Sequence, residues 1–176
     1  MTVPLVTEYD PKWPAWFESI QTRLELALTA IDHRVEHVGS TAVPGMIAKP
    51  IIDLDLVVER QDFSRTKERL AAIGYVHQGD LGILDREAFD VVDAQLKKIL
   101  PPHHLYVCVA DADALFDRLA FRDFLRKSPE WVRRLSLHKR QLCEQGRNDR
   151  KKYMDGKAAM VREITGLARE RSARTW

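Results

Sequence analysis

The spacing of apolar side chains divides the chain into a strand-rich first part and a helical second part. Segment 50–58 alternates most clearly, and this period of two predicts a strand. The two sides of that strand would carry Ile52, Leu54 and Leu56 on one and Ile51, Asp53, Asp55 and Val57 on the other. The same reasoning predicts shorter strands over 35–38 and 104–109 and from residue 75 onward.

Apolar residues at three- and four-residue spacing predict helices over 11–31 and 62–73, and then over 112–127, 129–145 and 149–173. Ser128 and Pro129 form a good cap and first-turn pair. Segment 78–102 has no clear period, so a hairpin and a loop over a cleft both remain open. We therefore expect an α+β fold with a small sheet and flanking helices. One domain over 1–176 would have its core at about 1–110 and a helical part at about 112–173.

Composition narrows the class of protein. The 176 residues are 45% hydrophobic and carry a net charge of +2, which makes nucleic acid an unlikely partner. Two widely separated cysteines indicate a reducing compartment rather than a disulfide framework. The first ten residues lack the pattern of a signal peptide, and no apolar run is long enough to span a membrane. We expect a cytoplasmic protein; the sequence does not predict an oligomeric state.

The candidate chemistry starts from two aspartates on the predicted central strand. Asp53 and Asp55 lie two residues apart, so their side chains would share one side of the sheet. Burying two like charges there is costly without a counterion. Paired carboxylates favour Mg²⁺, which takes oxygen ligands and shares them with substrate phosphates. The alternative is an edge strand with solvated acids.

A Gly39-Ser40 bend precedes this strand by about a dozen residues. The glycine lets the backbone approach a ligand closely. The Ser40 hydroxyl and the N–H groups from Thr41 onward would then hold a phosphate. An ordinary turn is the alternative, because a Gly-Ser pair alone is a weak signal.

Together these parts are more specific. A strand, Gly-Ser and then hydrophobic-Asp-hydrophobic-Asp resembles the signature of the polymerase-β-like nucleotidyltransferase superfamily. The longer match over 37–45 and 49–53 resembles the GrpB-like family within it. The resemblance also includes 9–13, Arg86, 103–105, 121–126, Tyr153 and Lys157, so it covers nearly the whole chain.

This resemblance implies a nucleotidyltransferase-type fold. It also implies a Mg²⁺-dependent enzyme that moves a nucleotidyl group from a nucleoside triphosphate to a small acceptor, with metal ions on Asp53 and Asp55. The alternative is a non-catalytic nucleotide- or partner-binding module, because some family members are fused to dephospho-CoA kinase and are thought to assist folding. A third alternative is hydrolysis or ligation carried out from the His104 side.

The chain departs from the superfamily pattern on its late strand, where active members usually carry a third carboxylate. His104 and Tyr106 stand there instead, and His104 is a candidate general base or metal ligand. Asp90 is a candidate substitute acid. The remaining substrate-binding candidates are His37, Lys49, Arg86, Arg122 and Lys157. Each also has an ordinary structural interpretation; Arg122, for example, is placed to pair with its neighbour Asp123.

Overall fold

The structure, a computed structural model, describes residues 5–145 and 149–173. Residues 1–4, 146–148 and 174–176 lie outside this described part. They include Gly146, which lies in the gap between the helices predicted over 129–145 and 149–173.

Five strands form a single mixed sheet in the described chain. They are β1 (His33–Val38), β2 (Ile52–Val58), β3 (Tyr75–Gly79), β4 (Arg86–Val91) and β5 (His103–Val109). Their spatial order is β1-β2-β5-β4-β3, and β2 and β5 form the parallel pair. The predicted α+β class is confirmed, and the strand with the two aspartates lies inside the sheet between β1 and β5.

Six helices accompany the sheet in the same residues. They are α1 (Trp13–Ala27), α2 (Phe63–Ala72), α3 (Leu96–Ile99), α4 (Asp113–Arg126), α5 (Pro129–Gln145) and α6 (Arg150–Ala173). The helix predicted over 11–31 is shorter at both ends, since its apolar period continues into a turn after Ala27. Pro14 lies in the first turn of α1, where a missing N–H costs nothing.

One face of the sheet is apolar and packs against α1 and α2. Ile52, Leu54 and Leu56 project from β2 into this core and are fully buried. Leu105 and Val107 continue it on β5. The alternation in segment 50–58 therefore has its expected cause, because every second side chain of β2 enters one core.

The opposite face lies beneath the C-terminal helices. Val57 and Cys108 pack there against Ala112 and Leu115, at the start of α4. A separate apolar cluster joins α4, α5 and α6 to Val43 and Met46, which belong to the loop before β2. This loop fixes the helices at one end of the sheet and leaves a cleft between them and the aspartates.

Segment 78–102 belongs to a β-hairpin and does not form a loop over the cleft. Its residues complete β3 and supply β4, and β4 pairs with β5 antiparallel. In the described chain none of its residues lines the cleft cavities defined below.

No helix in the described residues combines the length and apolar character needed to cross a bilayer.

Candidate active cleft

The Gly39-Ser40 bend places backbone directly against Asp53. Gly39 has a φ of 72°, in the region that favours glycine, and a 3₁₀ turn over Ser40–Ala42 follows it. A Cβ atom at Gly39 would lie 2.5 Å from Asp53 Oδ2. The group that the backbone approaches in this structure is the Asp53 carboxylate, and the approach to a ligand stays a prediction.

Helix α5 holds the chain that follows the bend. The Ile47 N–H donates to Ser136 Oγ at 3.3 Å, and the Ile47 carbonyl accepts from Lys139 Nζ at 2.9 Å. Lys139 Nζ also donates to Ser40 Oγ at 2.7 Å. Lys139 is thus the residue that joins the helical part to the Gly-Ser bend.

Lys139 is unusual because it is a lysine with only 2% of its surface exposed. Its pKa is lowered to about 7, mainly by burial and also by the charge of Lys157, while Asp53 acts in the opposite direction. The Lys157 pKa is also lowered, again chiefly by burial. Two desolvated ammonium groups beside the bend create a site that an anion would stabilise.

Asp53 and His104 form a hydrogen-bonded pair across the parallel strands. They stand opposite each other in the β2–β5 register, and His104 Nδ1 donates to Asp53 Oδ1 at 3.0 Å. The two side chains are 30% and 47% exposed. Because Asp53 holds Nδ1, the second ring nitrogen of His104 is the one left for other partners.

Asp55 has a different environment from Asp53 although both lie on one face of β2. Its side chain is fully buried, and Arg118 Nε lies 2.9 Å from its Oδ2. Burial raises the Asp55 pKa to about 6, with Arg118 acting against the shift and Asp53 adding to it. Arg118 and Arg86 both lie over the Tyr106 ring, at 4.7 and 4.3 Å from its centroid.

Two cavities meet at the bend. The first, of about 650 Å³, lies between the sheet and the C-terminal helices and includes Arg118, Phe121 and Arg162 in its wall. The second, of about 530 Å³, is bordered by Lys49, His104 and Tyr153. The residues common to both walls are Ser40, Asp53, Lys139 and Lys157. In the second cavity, Lys49 and Lys157 both lie over the Tyr153 ring, at 5.2 and 5.4 Å.

His37 and Thr41, on either side of the bend, are joined by a hydrogen bond that stabilises it. The His37 ring stacks on Phe17 with centroids 4.8 Å apart, and its Nε2 hydrogen-bonds Thr41 Oγ1 at 3.0 Å. Burial is the main reason that the His37 pKa falls to about 4, so the ring is neutral at physiological pH. Thr41 touches the second cavity, whereas His37 is not part of either wall.

The predicted substrate contacts at Arg86 and Arg122 lie outside both cavity walls. Arg122 donates to Glu36 Oε2 and Asp123 Oδ1, both at 2.7 Å, and to the His37 carbonyl. These bonds leave it a structural role, tying α4 to β1. Asp90, the candidate third acid, is exposed on β4 and likewise lines neither cavity.

Periodicity did not predict Arg118 or Lys139 because charged helix residues are normally assigned to the solvent face. A signal was present nevertheless. Lys139 follows the buried Val132, Leu135 and Ser136 at helical spacing, and Arg118 falls three residues after the buried Leu115. A single charge within an apolar stripe marks a group that needs a partner.

Comparison with known proteins supports the resemblance. Residues 4–166 match the family described as "GrpB protein". The chain belongs to the GrpB family. Among its GrpB-family relatives is UPF0157 protein YqkA of Bacillus subtilis, 30% identical over 169 residues, which cover 96% of this chain and 46% of YqkA. The chain thus spans about half the length of that relative.

Solved structures agree on the fold. The crystal structure of conserved protein GrpB from Enterococcus faecalis is 31% identical, has a TM-score of 0.81, and is covered over 98% of its length by 95% of this chain. A mutant of the Cid1 poly(U) polymerase bound to MgATP has a TM-score of 0.50 at 14% identity, over 76% of this chain and 45% of the polymerase. That likeness shows a nucleotidyltransferase-type fold and nothing finer.

Proposed function

We propose that the cleft binds the polyphosphate of a nucleoside triphosphate with Mg²⁺ and transfers the nucleotidyl group to a small acceptor. The observation that carries this is the wall shared by the two cavities. There a serine hydroxyl, an accessible carboxylate and two desolvated lysines converge, namely Ser40, Asp53, Lys139 and Lys157. The Cid1 polymerase, which has the same type of fold, was crystallised with MgATP.

The positive charge of this wall suits phosphates. Lys139 and Lys157 have pKa values lowered chiefly by burial, so a phosphate tail beside them would favour their charged forms. Ser40 adds a hydroxyl at the start of the 3₁₀ turn. Three electrostatic and hydrogen-bonding partners, from the turn after β1, from α5 and from α6, would therefore hold one polyphosphate.

Asp53 fits Mg²⁺. Its oxygens are hard ligands, its side chain is accessible from both cavities, and Gly39 leaves room that a Cβ would fill. Mg²⁺ commonly takes one or two carboxylates and completes its coordination with phosphates and water. Within residues 5–145 and 149–173, no three His, Cys, Asp or Glu side chains are grouped to hold a metal. When bound, the ion supplies charge neutralisation at the phosphates.

His104 is the proposed general base. Its Nδ1 is held by Asp53, which orients the ring, and the second cavity opens beside it. We assign the acceptor to that cavity. The hydroxyl oxygen of the acceptor would attack the α-phosphorus of the nucleotide while His104 takes the hydroxyl proton. Pyrophosphate would then leave along Lys139 and Lys157.

Binding of a non-hydrolysable ATP analogue with Mg²⁺, followed by calorimetry, tests the proposal. Asp53→Asn is expected to weaken binding about tenfold or more, because it removes the proposed metal ligand. The matched control is Asp90→Asn, which neutralises an exposed acid of the same sheet outside both cavities. Equal affinity of Asp53→Asn and wild type would refute the site.

A second function is favoured by the environment of Asp55. Since Arg118 pairs with this acid, the cleft offers fewer free carboxylates than the superfamily pattern implies. A module that binds nucleotide without turning it over fits that arrangement. Pyrophosphate release against a panel of hydroxyl-bearing acceptors separates the two: detected turnover that is lost in His104→Ala supports the enzyme, and saturable binding without turnover supports the module.

A further inference from the structure

We propose that Arg118 occupies the cation position at Asp55, so that the cleft holds one divalent ion, at Asp53, rather than two. This inference rests on the proposed function, because it concerns the number of metal ions bound with the nucleotide. It distinguishes the two aspartates that sequence reasoning treated as equivalent ligands.

The geometry around Asp55 carries the inference. The side chain has no exposed surface, and the guanidinium of Arg118 lies against it, with Nε 2.9 Å from Oδ2. Among the described residues, no N–H or O–H group donates a hydrogen bond of ordinary geometry to either carboxylate oxygen. The Cys108 thiol, a weak donor, is the hydrogen-bonding side chain beside the carboxylate. The attraction of Arg118 is therefore electrostatic compensation for a buried charge, which is what a metal ion would otherwise provide.

Arg118 is also held in place. Its guanidinium lies over the Tyr106 ring, and Tyr106 stands opposite Asp55 in the β2–β5 register. The backbone of Arg118 belongs to α4, whose Leu115 and Phe121 are buried on either side. The Tyr106 ring therefore positions the guanidinium beside Asp55, and an arginine keeps its charge throughout the physiological pH range.

A Mg²⁺ ion at Asp55 would have to displace this guanidinium. The ion requires oxygen ligands at about 2.0–2.1 Å in octahedral geometry and normally retains several waters. Asp55 has no solvent-accessible surface for such waters, whereas Asp53 is 30% exposed toward the cavities. Arg86 is the other nearby cation, and it also favours the charged form of Asp55.

The test is a count of ions in crystals. Wild-type protein soaked with MnCl₂ and a non-hydrolysable ATP analogue should show one anomalous peak, against Asp53. In Arg118→Gln the guanidinium is gone, and a second peak should appear against Asp55. Arg162→Gln is the matched control, because it removes a cation from the wall of the first cavity away from Asp55 and should retain one peak. Two peaks in wild type, or a single peak against Asp53 in Arg118→Gln, would overturn the proposal.

A second measurement keeps the proposal testable if Arg118→Gln does not fold. Mn²⁺ affinity in the presence of the analogue should change by less than about threefold in Asp55→Asn, but fall about tenfold or more in Asp53→Asn. A loss in Asp55→Asn as large as that in Asp53→Asn overturns the proposal. Nucleotide bound without any Mn²⁺ in wild type would refute the metal in the proposed function. In that case, a single Mn²⁺ peak at Asp55 in Arg118→Gln would still support the role of Arg118. No peak at Asp55 in that variant would refute both the metal and the role of Arg118.

Discussion

The two faces of β2 have opposite character although their residues alternate along one strand: one face is apolar and the other is charged. On one face, Leu54 and Leu56 are buried among apolar side chains from α1, α2 and the neighbouring strands. On the other face, Asp53 and Asp55 lie beneath α4, α5 and α6, among lysines and arginines. The first face is stabilised by burial of apolar surface, and the second has to compensate each charge with a specific partner.

The difference shows where stability and binding are separable. A core face tolerates little change in volume, but its residues never meet a ligand in the cleft. On the charged face, Lys139 is desolvated and the pKa of Asp55 is raised. Both features cost folding free energy, and folded proteins tolerate such costs mainly near binding sites. Substitutions on the two faces should therefore have different readouts, and the following predictions test that separation.

The largest effect on stability is expected at Leu54→Ala. Leu54 is fully buried, so the truncation should lower the free energy of unfolding by about 2–5 kcal/mol. Affinity of the folded variant for the ATP analogue should match wild type, because Leu54 faces away from the cleft. Chemical denaturation and calorimetry measure the two quantities. A folded Leu54→Ala that had lost nucleotide binding would show that the two faces are coupled.

Next in size is Gly39→Ala. The added Cβ meets Asp53 Oδ2 at 2.5 Å, so the carboxylate has to move and analogue affinity should fall about tenfold. Gly45→Ala is the control, because its φ of 76° is also positive while its Cβ meets nothing within 4 Å. Gly45→Ala should lose about 1–2 kcal/mol of stability, and Gly39→Ala should lose more, because its ψ of −165° lies outside the left-handed helical region and its Cβ meets Asp53. Equal binding by the two variants would remove the contact with Asp53 from the explanation.

Lys139 should make binding depend on pH. In the free protein its pKa is lowered to about 7, and a bound phosphate tail would raise it again. Affinity should therefore fall several-fold as pH rises from 7 to 9, with proton uptake on binding. Calorimetry in buffers of different ionisation enthalpy detects that uptake. In Lys139→Met the affinity should be lower, and most of the pH dependence and proton uptake should disappear; if both persisted, another group would be responsible.

The same lysine affects unfolding with a definite sign. Its folded-state pKa lies below the unfolded value of 10.5, so the unfolded chain binds more protons between pH 7 and 10.5. The contribution of Lys139 to stability is therefore complete above its unfolded pKa and is lost as pH falls toward 7. Stability should rise more steeply over this pH range in wild type than in Lys139→Met, which keeps the contribution of Lys157, whose pKa is also lowered.

The smallest effect is expected at Arg122→Gln. Arg122 ties α4 to β1 through Glu36 and the His37 carbonyl, so its loss should reduce stability by about 1–2 kcal/mol. Because it lines neither cavity, analogue affinity should change by less than about twofold. Lys157→Gln removes one positive charge from the shared wall and provides the contrast, with a clear loss of affinity. If Arg122→Gln weakened binding as much as Lys157→Gln, the arginine would belong to the site.

Much of the fold was predictable because it depends on local periodicity. Segment 50–58 alternates strictly, and the structure places its two sets of side chains on opposite faces of the sheet. Helix α5 begins at Pro129, as the Ser128-Pro129 pair predicted, and continues to Gln145, the last described residue before the gap at 146–148. Segment 78–102 lacked such a period, and its pairing with β5 depends on contacts distant in sequence.

The candidate site was predictable only in part. The Gly39-Ser40 bend and Asp53 do converge, because β1 and β2 are neighbours in sequence and pair antiparallel with Val38 opposite Asp53. Lys139 comes from a helix 99 residues after Ser40, and nothing local to α5 names its partner. The different environments of Asp53 and Asp55 were also invisible in a motif that treats them as one pair.

Residue order along the chain was sufficient for the alternation of β2, the bend before it and the family to which the chain belongs. These properties follow from neighbours within a few residues, where backbone geometry dictates which side chains share a face. The pairing of charged side chains, by contrast, could be found only from the tertiary structure. Arg118 reaches Asp55 and Lys139 reaches Ser40 because helices docked from the far end of the chain bring them there, and electrostatic energies depend on distance and burial rather than on sequence separation.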